Sequence, residues 1–233
     1  MTRLEHITSA LGAIAGILAL SLFLLAIMSG SSQGLFQINW PTNEYGAMLL
    51  SRAPYLRADL GLDFLFLSVY ATYFVFLCAV LTAWQRRDGA PSEFTSVTRL
   101  ATGALVLTAL LDAIENSHLL AVLSMAEQGM PISQNEIAWQ QVESQVKFLA
   151  SSFGILLFSF VLPSKSLIEK VTVFALRWVQ LPLGCAIFVV PLTMARPLII
   201  ARAVFFFIGL WATAWIVYSR SRRSSSTVGS PVP

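Results

Sequence analysis

The residues able to do chemistry in this chain are polar and ionisable groups standing at or inside long apolar runs. Asp112, Glu115, Asn116 and His118 follow the uncharged run Leu100 to Leu111, Lys147 precedes Phe148 to Leu162, and Asp63 precedes Phe64 to Trp84. On a helix Thr108, Asp112 and Glu115 fall at i, i+4 and i+7, with Asn116 and His118 flanking the same face. Gln140, Ser144, Lys147, Ser151 and Gly154 recur at spacings of 4, 3, 4 and 3, a polar and small-residue stripe of the kind that faces a bundle interior. Glu143 stands one turn from Lys147. A further face holds Asp59, Asp63, Tyr70 and Tyr73.

Three chemistries suit such a set. Carboxylates and a lysine can pair to fix helix register. The same groups can exchange a proton or a cation along a transport path, which is the default functional reading of charge at membrane depth. Carboxylates with a histidine can also act as acid, base or metal ligands in an enzyme working on lipid. Catalytic zinc takes three protein ligands, preferring His and Cys, and this chain has two histidines, of which His6 lies far from His118. A zinc histidine cluster is excluded, and Lys147 repels a carboxylate-held divalent ion. No GxSxG, HExxH or GxxxxGK motif is present, so the reading leans away from an enzyme and expects no cofactor or metal. Cys78 and Cys185 sit in apolar runs as small core residues.

The elements that must hold these groups are set by composition. Of 233 residues 56% are apolar and 12% charged, with mean hydropathy +0.72, which excludes an ordinary soluble domain at about 25% charged. A net charge of +3 excludes a nucleic-acid binder. About 20 apolar residues in helix cross a bilayer core. The expected fold is therefore all-α, a six-helix transmembrane bundle over residues 1–223, with spans at 7–29, 58–84, 98–126, 137–162, 174–195 and 198–219 and a disordered tail at 224–233. The uncharged stretches of spans three and four cover only ~18 and ~22 Å, so both must continue through their charged residues. Gly12 and Gly16 allow a close helix contact in span one. Trp40 to Asn43 read as a turn and Gly46 to Ser51 as an interfacial helix in the connection Gly30 to Arg57, which caps the bundle.

Ten Lys and Arg flank one side of these spans and four the other, which places both termini in the cytoplasm and the chain in the inner (plasma) membrane. Trp84, Trp178, Trp215 and Tyr218 are expected as anchors at the inner edge, and Trp40, Tyr45, Tyr55 and Trp139 at the outer. Counting 1.5 Å per residue from the inner edge puts Asp112 at ~18 Å, Tyr70 at ~21 Å, Glu115 and Lys147 at ~22 Å, Arg202 at ~25 Å, His118 at ~27 Å and Asp63 at ~31 Å. Spans three and four share a short outer loop and are antiparallel neighbours. The expected pairing is Lys147 with Glu115 or Asp112, Tyr70 donating a hydrogen bond to the pair, and Arg202 with Asp63 nearer the surface.

The cluster as a whole comprises Asp63, Tyr70, Asp112, Glu115, Asn116, His118, Ser144, Lys147 and Arg202. The function expected is that of a non-catalytic membrane subunit or small-ligand binding protein. The alternatives are a proton- or cation-coupled transporter, which the missing repeat disfavours, and an intramembrane lipid-modifying enzyme. The partners are the lipid bilayer and other membrane subunits or a second copy of the chain.

Overall fold

The computed structural model describes residues 2–29, 42–190 and 192–226. Among these every regular element is helical. The helices are α1 (Arg3–Ser29), α2 (Thr42–Arg87), α3 (Ser92–Glu127), α4 (Gln134–Val161), α5 (Leu167–Ala175), α6 (Leu181–Val189) and α7 (Leu192–Ser226), with a π-helical turn, Leu176–Gln180, joining α5 to α6. Six helical stretches are long and apolar enough to cross a membrane: Arg3–Ser29, Glu44–Arg87, Ser92–Glu127, Gln134–Val161, Leu167–Ile187 and Pro197–Arg223.

Local sequence chemistry starts and stops these helices. Thr2 N–H donates to Glu5 at 2.8 Å and Glu5 N–H returns to the Thr2 hydroxyl at 3.3 Å, the reciprocal cap of α1. Ser133 accepts from Glu136 N–H at 3.2 Å to open α4. Ser166 and Glu169 form a full capping box for α5, which is why the fifth helical stretch begins at Leu167 and not at residue 174. Helix α6, which completes it, ends at Val189, so the span does not run on unbroken to 195: Val190 takes extended angles, φ −93° and ψ 156°, the geometry favoured before a proline such as Pro191.

The second helix departs most from expectation. It is continuous from Thr42, so Gly46 to Ser51 belong to it and do not form a separate interfacial helix, and Pro54 lies within it. Trp40 and Pro41 of the expected turn, with the rest of residues 30–41, lie outside the described residues. Tyr45, Leu49, Leu56 and Leu60 of this extension pack with Leu119, Val122, Leu123 and Ile137 into an apolar cluster at the ends of α3 and α4 that adjoin their connecting loop. Tyr45 is thus a core residue at 1% exposure and not an interfacial anchor. At the other terminus α7 runs on through Ser226, and residues 227–233 of the expected tail lie outside the described residues.

A larger apolar cluster, with Phe66, Tyr73, Leu77, Leu105, Phe158 and Leu210, fills the rest of the bundle. Helix α1 packs against α2 and α7, and α3 packs against α2 and α4. Glycines set these close approaches. A Cβ at Gly12 would stand 2.7 Å from the Tyr73 ring and 2.9 Å from Ala214, and one at Gly16 would collide with the Trp211 indole. The GxxxG spacing therefore serves contacts inside the chain. Gly154 does the same for α4, where a Cβ would meet Leu105 at 2.8 Å and the Ala101 carbonyl at 3.2 Å.

One end of the bundle is tied by a polar knot. Glu5 accepts from the Trp84 indole at 2.9 Å and from Ser221 at 2.6 Å, while Arg220 pairs with Asp88 at 2.7 Å and lies over the Trp84 ring. Trp84 is accordingly buried instead of anchoring at the interface.

Candidate functional site

Three helices build the centre of the site. Because α3 and α4 are adjacent and antiparallel, their charged turns meet where the sequence count placed them at the same depth. The Lys147 ammonium donates to Asp112 Oδ1 at 2.6 Å and makes a close charge contact with Glu115 Oε2 at 2.5 Å that lacks hydrogen-bond geometry. The other Glu115 oxygen accepts a short hydrogen bond from the Ser144 hydroxyl. Lys147 is 4% exposed and the Glu115 side chain 0%, so these charges interact in a low-dielectric interior where removing one partner is costly.

Helix α7 contributes Arg202. Its guanidinium stacks on the Phe148 ring at 3.7 Å, on a ring that also receives Lys147 at 5.0 Å, and it lies within electrostatic reach of Asp112 and Glu115. Two cations thus stand with two carboxylates, a balanced set. Arg202 does not pair with Asp63, as the depth count had suggested. Asp63 instead accepts from the Asn116 amide at 2.6 Å. The reason is rotational: depth along a helix is set by residue number, but Arg202 faces α4 and Asp63 faces α3.

Tyr70 also departs from expectation. Its level is right and it is buried, but it makes no hydrogen bond to the pair. Its ring packs against Phe66 at 4.9 Å, Phe74 at 5.9 Å and Phe206 at 6.3 Å. It closes the apolar side of the cluster.

His118 joins a different group, toward the loop that connects α3 and α4. Its two ring nitrogens meet Glu143 at 2.7 Å and Glu136 at 2.9 Å. Glu136 was not singled out in the sequence, although Glu136 and Glu143 lie seven residues apart on one face of α4, a spacing that presents both to a neighbouring helix. Of two buried glutamines, Gln140 falls on the polar stripe of α4, while Gln180 carries no comparable signal. The carboxamides of Gln140 and Gln180 are buried without a hydrogen-bond partner among the described residues, a property of packing that no spacing reveals. Glu5 was likewise unmarked, since a glutamate in a first turn reads as a helix-dipole residue.

The central charges form a polar layer between two apolar ones. Asp63, Asp112, Glu115, Asn116, Ser144 and Lys147 lie between the smaller cluster around Leu60, Leu119 and Ile137 and the larger cluster around Phe66, Leu105 and Phe158. Among the described residues no three His, Cys, Asp or Glu side chains converge as a metal-holding group. A cavity does exist in the bundle, but it is lined by Phe74, Phe158 and Gln180 and touches none of Lys147, Asp112, Glu115 or His118. The layer as it stands can hold α3 against α4 and order Arg202.

Comparison with known proteins adds no relative: no family model, no curated protein and no solved structure matches the chain.

Proposed function

We propose that the chain is a non-catalytic multi-pass protein of the inner membrane, a subunit or small-ligand binding protein, with both termini in the cytoplasm. The orientation is supported by the ten-to-four excess of Lys and Arg on one side. The single observation that carries the functional reading is the closed Lys147 contact. An ammonium that is 4% exposed, paired with Asp112 and with a fully buried Glu115, is arranged as a clamp that fixes α3 on α4.

Accessibility of the clamp tests this reading. In a Cys78→Ser/Cys185→Ser background, a Ser151→Cys variant places a thiol one turn from Lys147, at a position 4% exposed in the parent. A membrane-impermeant cationic thiol reagent should leave it unmodified from either side. Rapid modification would reveal a wet path to Lys147 and refute the clamp.

A second reading, proton- or cation-coupled transport, is favoured by one arrangement. Glu136, His118 and Glu143 form a connected set of ionisable groups, with the Glu136 side chain 40% exposed and the His118 side chain 18% exposed, leading inward toward Ser144 and Glu115. Such a line is the form a proton relay takes. Modification of Ser151→Cys from the outer side would favour it.

A further inference from the structure

We propose that the cavity beside the π-helical turn binds a neutral amphiphile with an apolar chain and one head group that both donates and accepts a hydrogen bond, such as a hydroxyl, and that the Gln180 carboxamide recognises that head. The proposal rests on the small-ligand reading above and names the ligand class.

Gln180 is 4% exposed, and neither its Nε2 nor its Oε1 has a hydrogen-bond partner among the described residues. Buried carboxamides are almost always bonded, so an orphaned one calls for an explanation. Gln180 closes the turn Leu176–Gln180, where the helix widens just before Pro182. Pro182 has no N–H to continue the α-helical ladder, and π-helical turns inside helices concentrate at functional sites.

The cavity supplies the rest. Its walls include Phe74, Phe158, Phe205, Gly209 and Thr213 together with Gln180, and no Asp, Glu, Lys or Arg is among its lining residues. A charged head would therefore lack a counter-ion, so the ligand is neutral. The Thr213 hydroxyl is already engaged, accepting from Tyr73 at 2.8 Å and directed to the Gly209 and Leu210 carbonyls. That leaves Gln180 as the lining side chain able to bond a ligand.

Size and access favour an occupant drawn from the lipid phase. The empty space of the cavity, its open side included, is about 420 Å³, room for a small head group. Phe205, a lining residue that is 38% exposed, lies on the membrane-spanning part of α7, which turns this side of the cavity toward lipid chains. An apolar tail can lie along it while the head enters. Gly209 keeps the space open, since a Cβ there would touch only Leu176, at 3.8 Å.

The test uses the full chain in lipid nanodiscs and a long-chain fatty alcohol carrying a photoreactive diazirine, beside the methyl ether of the same molecule. The alcohol should label residues of the π-helical turn and α7, and the ether, which cannot donate, should label them weakly. Gln180→Leu should lower labelling by about tenfold, the worth of a buried hydrogen bond, while leaving thermal stability equal or higher because an unpaired amide is removed. Gly209→Leu fills the space and should block labelling in a folded protein. Equal labelling by alcohol and ether, or labelling at this site unchanged by both variants, overturns the proposal. Labelling elsewhere that neither variant changes removes this site but leaves the small-ligand reading standing. No labelling of the folded protein removes both for this ligand class, and the clamp is then judged separately by the Ser151→Cys test.

Discussion

Replacing Lys147 by methionine removes the one ammonium bonded to Asp112 and in contact with Glu115 while keeping the length and apolar stem of the side chain. Glu115 is fully buried and its other oxygen already holds Ser144, so the variant leaves a carboxylate that cannot turn to water. Breaking a buried pair from one side costs about 3–5 kcal/mol, whereas hydrogen bonds between membrane helices average only about 0.6 kcal/mol. The larger figure governs here because the stranded group is charged and enclosed between two apolar layers. The expected loss is thus about 3 kcal/mol, roughly a hundredfold in the unfolding equilibrium. Neutralising Glu115 as well, in Lys147→Met/Glu115→Gln, leaves Asp112 to Arg202 and should restore most of that loss, since no charge of the set is then left without an opposite one. Reversible unfolding in mixed micelles, followed by tryptophan fluorescence, measures both. A loss under about 1 kcal/mol for the single variant, the value of an exposed pair, would refute the argument, as would a double variant no more stable than the single one.

Two further substitutions test how the bundle is held together around that layer. Gly16→Ala forces a Cβ into the Trp211 indole, and with α1 seated on α7 by the Trp211 bond to the Ala13 carbonyl at 3.2 Å it should cost about 1–3 kcal/mol by overpacking; a neutral result in the same unfolding assay would mean α1 docks elsewhere. Glu5→Ala strands the Trp84 indole and Ser221 hydroxyl, both buried, and should lose about 1–3 kcal/mol together with a shift in Trp84 emission, whereas Glu93→Ala at the exposed start of α3 should change neither.

Much of the layout was legible in the amino-acid order because lipid permits few solutions. Backbone groups in a bilayer must bond within their own segment, so apolar run length predicts spanning helices, and among the described residues six helical stretches are long and apolar enough to cross. The same constraint made the charged turns of α3 and α4 legible: neither uncharged run could cross alone, so Asp112, Glu115 and Lys147 had to lie inside, and a fixed rise per residue put Glu115 and Lys147 at one depth. Their contact followed from depth and adjacency.

What the order of residues could not determine was rotation and neighbourhood. Arg202 was at a suitable height for Asp63 but faces Phe148, Tyr70 was level with the pair but packs on phenylalanines, and Gly12 and Gly16 were equally suited to another chain until α2 and α7 were seen to occupy them. The helical continuation from Thr42 through Pro54, which roofs the polar layer with Tyr45, Leu49 and Leu56, likewise has no strong apolar signal of its own. Hydropathy and spacing act along one chain segment at a time and are read locally. Which face of a helix meets which neighbour, and which buried amide ends without a partner, depends on all the segments packing at once, and only the assembled bundle decides it.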